Sequence, residues 1–242
     1  MARSFENSRS PAAVQTLVDT IDSMTLVDLT HPLQPSIPVW PGHPHFCQEV
    51  MSSLERGDVS CWHALSLGEH TGTHFDAPSH FIRKGKSIPE VQVGEFFGRM
   101  VTIDAVGLDP RAVIEPERVV TWEAEHGLIA PNDAVFFHFG WDQLWTERPR
   151  EFLTDWPGLS GSASELLVKR EVRIVGSDCL SIDCFDTTDF PAHHALLGAG
   201  ILIGENFVNL GRLPPICYLA ALPLPIVNGS GAPVRAVAFV PR

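Results

Sequence analysis

The chain has 242 residues, 44% of them hydrophobic, and a formal net charge of −12. That is enough apolar material for one large domain with a substantial core, and it argues against general disorder. With 17 Lys and Arg against 29 Asp and Glu, no basic face is expected. No apolar run approaches the roughly 18 residues of a membrane span. Nucleic acid and membrane are therefore not expected partners.

The opening stretch MARSFENSRSPAAVQ is polar and lacks the apolar core of a signal peptide, so the expected location is the cytoplasm. Residues 1–23 read as an arm followed by a short amphipathic helix from Ala12 to about Met24. Residues 24–242 read as the main domain. Met24 to Leu29 is a predicted strand. Four prolines between Pro32 and Pro41 forbid a helix and favour extended backbone. Trp62 to Leu67 alternates like a strand. Further strands are expected at Arg99–Val106, Asp133–Phe139, Val172–Gly176, Ile201–Ile203, Phe207–Val208, Tyr218–Ala221 and Val234–Val240. Helices are expected at Pro116–His126, Ser162–Arg170 and Ala192–Leu197. Strands outnumber helices without regular βαβ alternation. The fold class is therefore α/β, a single domain with a mixed, partly antiparallel β-sheet and flanking helices.

Five cysteines, odd in number and without a C-x-x-C spacing, read as reduced packing residues. Histidines say more. His70, His74, Asp76 and His80 fall within GEHTGTHFDAPSH. Gly72 and Pro78 rule out a continuous helix, so a tight loop at a strand end is expected. Locally extended backbone would send His74 and Asp76 to the same side. Imidazole and carboxylate together suit Zn²⁺, Mn²⁺ or Fe²⁺. His31, His43, His63, His126 and His138, each isolated, are expected to have no catalytic role. No G-x-S-x-G elbow supports a serine hydrolase.

H-T-G-T-H-F-D-A-P-S-H, from His70 to His80, resembles the H-x-G-T-H-x-D-x-P-x-H signature of the cyclase-like metal-dependent hydrolases. That family includes bacterial kynurenine formamidase and isatin hydrolase. V-W-P-G-H-P (Val39–Pro44), D-x-x-S-I-D (Asp178–Asp183) and A-H-H-A-L-L-G-A-G (Ala192–Gly200) resemble further family segments. The resemblance implies a swivelling β/β/α-like fold and one or two divalent ions, Zn or Mn, per chain. It implies His70, His74, Asp76, His193 and Glu205 as metal ligands, with Asp76 bridging. The family's spacing to the Glu selects His193 over its neighbour His194, which ligand chemistry alone does not separate. His80 would be the acid/base residue and Trp40 a wall of the substrate pocket. The isatin hydrolase pattern has Gln where this chain has Glu205, and a carboxylate there favours a full two-metal site. Asp178, Asp183 and Asp186 could orient the histidines from behind or cap loops.

The expected activity is opening of a small N-formyl or cyclic amide. An isatin-type lactam or dienelactone-type lactone is the alternative. A non-catalytic metal- or ligand-binding module is the second alternative. A small-molecule substrate and a homodimer or homotetramer are implied.

Overall fold

A computed structural model describes residues 11–242; the part of the N-terminal arm expected over residues 1–10 lies outside the described residues. The first half of the described chain holds α1 (Pro11–Asp22), β1 (Met24–Asp28), β2 (Cys47–Ser52), β3 (Trp62–Ser66), β4 (His74–Asp76), β5 (Phe97–Asp104), β6 (Val113–Ile114) and α2 (Pro116–His126). The second half holds β7 (Ala134–His138), α3 (Leu144–Glu147), α4 (Pro149–Phe152), β8 (Gly158–Leu159), α5 (Gly161–Lys169), β9 (Ile174–Ser177), α6 (Pro191–Gly198), β10 (Leu202–Glu205), β11 (Ile216–Pro223) and β12 (Gly231–Pro241).

The main sheet runs β1-β12-β11-β5-β7-β9-β10-β4. Pairs β5–β7, β7–β9 and β9–β10 are parallel, and the other pairs are antiparallel, so the sheet is mixed as expected. It is not the simple sheet read from the sequence. β4 also pairs with residues 231–233 of β12, which closes seven strands into a barrel, with β1 attached beside them. β12 is long enough to serve two neighbours on one edge: residues 231–233 take β4, and residues 237–241 take β1.

Strand periodicity sorts the core into two layers. Ala134 and Phe136 of β7 point into the barrel with Met100, Ile174, Leu202, Phe75 and Phe207. Val135 and Phe137 point outward into a second layer with Val101, Ile103, Val175, Ile203 and residues of the helices α2, α5 and α6. Strands buried on both faces read as unbroken apolar runs, which is why Asp133–Phe139 was legible as a strand. The expected strand at Phe207–Val208 is instead only an isolated bridge between Thr30 and Phe207. The edges of the other expected elements shift by a few residues. β2 had no clear alternation and was not anticipated. Cys179 and Cys217 are buried packing residues, but Cys47 and Cys61 are exposed, and no two cysteines are bonded among the described residues. Among the described residues no helix is long and apolar enough to cross a membrane.

Gly176 makes room for the Phe136 ring inside the barrel. A Cβ there would lie 2.3 Å from the Phe136 ring and 2.8 Å from the Gly204 carbonyl. Gly176→Ala should therefore overpack the interior and cost about 1–3 kcal/mol. A thermal melt followed by circular dichroism checks it. A drop of several degrees is expected, and an unchanged midpoint would mean the barrel interior can relax.

Candidate metal centre and substrate cavity

The site grows from β4 and its neighbours. Phe75 enters the barrel, stacking near Phe96 and Phe207, so period two puts His74 and Asp76 together on the outer face. Glu205 lies directly across the antiparallel pair from His74. Cross-strand partners share a face, so this register brings a carboxylate to an imidazole 131 positions away in the sequence without any further device.

The turn before β4 aims His74. Gly72 has φ of +66°, and a Cβ there would lie 2.7 Å from Leu33. Its carbonyl accepts from His74 Nδ1 at 2.8 Å and from Asn206 Nδ2 at 3.0 Å. With Nδ1 spent, Nε2 faces the site. Thr73 Oγ1 donates to the Asn206 carbonyl at 2.6 Å and accepts from the His31 amide, tying this turn to the Pro-rich segment.

His193 is aimed from a different element. It sits on α6, and its Nδ1 donates to Asp183 at 2.6 Å. The same carboxylate accepts the amides of Ala192 and His193 at 2.8 and 3.0 Å, which pins the helix start and the imidazole together. Of the two histidines left open by chemistry, His193 is buried in the site and His194 is exposed. Asp183 thus combines both readings offered for it, orienting a histidine and capping a helix. Asp178 does not reach these histidines: it accepts the amides of Phe139 and Trp141. Asp186 pairs with Arg111 at the surface.

The donor atoms converge. His74 Nε2 lies 3.3 Å from Asp76 Oδ1 and 3.5 Å from Glu205 Oε2. His193 Nε2 lies 3.4 Å from Asp76 Oδ2 and 3.5 Å from Glu205 Oε1. Each carboxylate therefore turns one oxygen to each imidazole. His70 Nδ1 contacts Asp76 Oδ1 at 2.6 Å, and its Nε2 contacts Ser230 Oγ at 3.1 Å. His74 Nε2 and Asp76 Oδ2 are buried without a hydrogen-bond partner. Orphaned polar atoms are costly in a protein interior. Donors held about 2.0–2.2 Å from one ion in a tetrahedral shell stand roughly 3.3–3.6 Å apart. The spacings here match that shell, so the residues present fit a divalent cation. His74, Asp76 and Glu205 form one grouping of ligand-type atoms, and His70, Asp76 and His80 form another.

Electrostatics point the same way. Burial pushes the Glu205 carboxyl up to about 8, with the Asp76 charge adding to it. Burial works to raise Asp76 too, yet the His70 charge and the close approach of the three imidazoles hold it well below the usual carboxylate range. Burial opposes protonation of His193, but Asp183 and Asp76 raise its pKa to about 10. A metal cation bound here would supply positive charge that favours the ionised form of both buried carboxylates.

His80 follows Pro78 in a single 3-10 turn, Pro78–His80. Its ring centroid lies 4.1 Å from that of His70. Burial lowers its pKa to about 4, so it is neutral at neutral pH.

A cleft of about 610 Å³, measured with its open mouth, joins these groups to an apolar wall of Trp40, Phe81, Leu180 and Phe190. Trp40, which the resemblance implies as a wall of the substrate pocket, lines this cleft. His43 was assigned no role as a lone histidine, but it lines the cleft because its amide closes a turn onto the Trp40 carbonyl at 2.9 Å. Phe81, Leu180 and Phe190 were not singled out. Phe81 directly follows the histidine segment, and Leu180 and Ser181 lie inside the D-x-x-S-I-D segment, so two of the quoted motifs pointed at this wall.

Residues 27–184 match the model of the family described as Cyclase. A kynurenine formamidase of Salinibacter ruber is 34% identical over 220 residues, covering 88% of this chain and 97% of that protein. An isatin hydrolase of Roseibium aggregatum is 30% identical over 243 residues, covering 90% of this chain and 92% of that protein. The solved structure of an isatin hydrolase bound to the product analogue thioisatinate superposes with a TM-score of 0.91 at 27% identity, covering 97% of this chain and 100% of that one. The chain therefore belongs to the cyclase family and is a hydrolase.

Proposed function

We propose that the protein is a metal-dependent hydrolase that opens a small amide, kynurenine formamidase-like, with residues 24–242 as the catalytic domain. The observation that carries this reading is the pair of orphaned buried atoms, His74 Nε2 and Asp76 Oδ2, set among carboxylate and imidazole donors at 3.3–3.5 Å. His70, His74, Asp76, His193 and Glu205 would hold one or two ions of Zn or Mn. When bound, a divalent ion supplies a Lewis acid for the substrate carbonyl and lowers the pKa of water towards about 7. Trp40, Phe81 and Phe190 receive the apolar part of the substrate and exclude water from it. His80, neutral through burial, takes a proton from the attacking water on an imidazole nitrogen and returns it to the leaving nitrogen.

A second reading, lactam opening, is favoured by the similarity to isatin hydrolases at 30% identity and at a TM-score of 0.91. We take the protein to act in the cytoplasm as a homodimer or homotetramer, which sedimentation tests.

Metal analysis joined to a substrate screen decides the main reading. Purified protein should carry between one and two divalent ions per chain. It should hydrolyse an aryl formamide such as N-formylkynurenine, lose that activity to a chelator and regain it with metal. Isatin and a dienelactone in the same screen separate the alternatives. Active protein free of metal would overturn the proposal.

A further inference from the structure

Arg173 carries a buried charge that the fold leaves partly unanswered. It stands just before β9 and is 9% exposed. Its Nε donates to the Glu95 carbonyl at 2.9 Å and its Nη1 to the Asn132 carbonyl, but Nη2 is buried with no hydrogen-bond partner. Both hydrogen bonds therefore go to neutral oxygens. The carboxylate of Asp133 is engaged elsewhere, by Arg99 at 3.1 Å and by the Ala130 amide at 2.8 Å. Burial pulls the Arg173 pKa down, against the charges of Glu95 and Asp133. A buried charge is costly unless it is paired, and the fork of a guanidinium suits paired anionic oxygens.

The fold makes room for this group. Gly98 has φ of +139°, and a Cβ there would lie 2.6 Å from Nη1 and 3.2 Å from Nη2, so only glycine lets the guanidinium lie against β5. Arg173 also lines a cleft of about 670 Å³, measured with its open mouth. Exposed Lys86 and Gln92 stand in the same wall, beside buried Ile201 and Leu202. The cleft lies at the N-terminal ends of β9 and β10, whereas Glu205 stands at the C-terminal end of β10. It shares no lining residue with the cleft of the metal centre.

We propose that this cleft is a second binding site, for a small carboxylate with an apolar body, held by Arg173 and Lys86. The carboxylate accepts from Arg173 Nη2 and from the Lys86 ammonium. Gln92 adds an amide donor, and the apolar body lies on Ile201 and Leu202. A singly charged head matches this short donor set. A phosphate dianion does not, because its further oxygens would meet Glu95, which lines the same wall, and side chains with no donor to offer. The site is independent of the amide hydrolase reading, since none of the residues assigned to that chemistry enters it.

The test is a backbone-amide NMR titration of the metal-loaded full chain with hexanoate, hexanamide and inorganic phosphate. The amides of Gln92, Gly200 and Ile201 report this cleft, and those of Ser181 and His193 report binding at the metal centre. Hexanoate should shift the first group saturably. Hexanamide, which lacks the charge, should bind there about tenfold more weakly or not at all, and phosphate likewise. Lys86→Gln removes one exposed charge and should weaken hexanoate about two- to fivefold. Gln92→Glu adds a like charge to the wall and should weaken it at least as much. Arg173→Met keeps the apolar stem, drops the donors and should abolish the saturable shift. If that variant fails to fold, the two exposed substitutions still decide. Unchanged hexanoate affinity in both of them would overturn the proposal, and so would an equal response to hexanamide. Phosphate bound as tightly as hexanoate would overturn the carboxylate class. Hexanoate shifts confined to Ser181 and His193, or no saturable shift at all, would remove the site.

Discussion

Asp76→Ala should remove bound metal and hydrolysis together. Asp76 sends Oδ1 to His74 at 3.3 Å and to His70 at 2.6 Å, and Oδ2 to His193 at 3.4 Å, so all three histidines meet at this one carboxylate. It is also 1% exposed, and the imidazoles around it would be left buried without their anion. Removing one member of such a buried charge cluster is strongly destabilising to the arrangement that remains. The loss of activity should exceed the roughly 10–100-fold typical of residues that only orient a ligand. Elemental analysis and turnover on one preparation check it, with circular dichroism as the control for folding. Glu205→Gln is the milder companion. It keeps the shape of the side chain and the amide contact from Ile182 but drops the charge, so it should weaken the hold on one ion selectively. Asp76→Ala protein that keeps both metal and turnover would break the assignment. A Glu205→Gln protein with two tightly held ions would break its two-ion form.

His80→Ala should leave metal content nearly unchanged while the rate falls by about 10²–10⁴-fold, the usual contribution of a positioned acid/base group. That corresponds to roughly 3–5 kcal/mol of transition-state stabilisation. The residue sits beside the ligand cluster, its ring 4.1 Å from that of His70 and 6.1 Å from that of His193. It could instead belong to the ligand set, because His70, Asp76 and His80 offer converging donor atoms. The two roles differ in what else changes. A proton carrier lowers the rate alone, whereas a ligand lowers metal content with it. His80→Asn should not rescue the rate, since an amide does not titrate near neutrality. Full activity in His80→Ala would remove the residue from the mechanism.

The ligand types were legible because they are concentrated. His70, His74, Asp76 and His80 lie within eleven residues, and Gly72 and Pro78 excluded a helix between them. The face shared by His74 and Asp76 followed from strand periodicity, and β4 bears that out although only a loop was expected there. His193 over His194 is different. Two adjacent histidines on a helix have the same local chemistry; the family spacing implied His193, and the physical distinction is the Asp183 contact and the burial of α6 against the barrel. His43 was discounted as an isolated residue because nothing in its neighbourhood in the sequence says that the turn from Trp40 reaches the cleft.

By itself the sequence determined the local quantities: apolar runs for strands buried on both faces, the α/β class, the density of ligand side chains, and extended backbone around the prolines. Each is written within a window of about a dozen residues, where periodicity and steric rules operate. Barrel closure is not of that kind. β4 is three residues long, and its partners lie at 203–205 and 231–233, so no local pattern announces the pairing. The same closure sets Glu205 opposite His74, brings α6 and its histidine over the strand ends, and lets Trp40 and Phe190 meet across one cleft. Only the tertiary structure decided these, because each depends on the register between segments far apart in the chain. A register is fixed by the packing of a whole barrel around Phe75, Phe136 and Phe207 rather than by the residues it brings together.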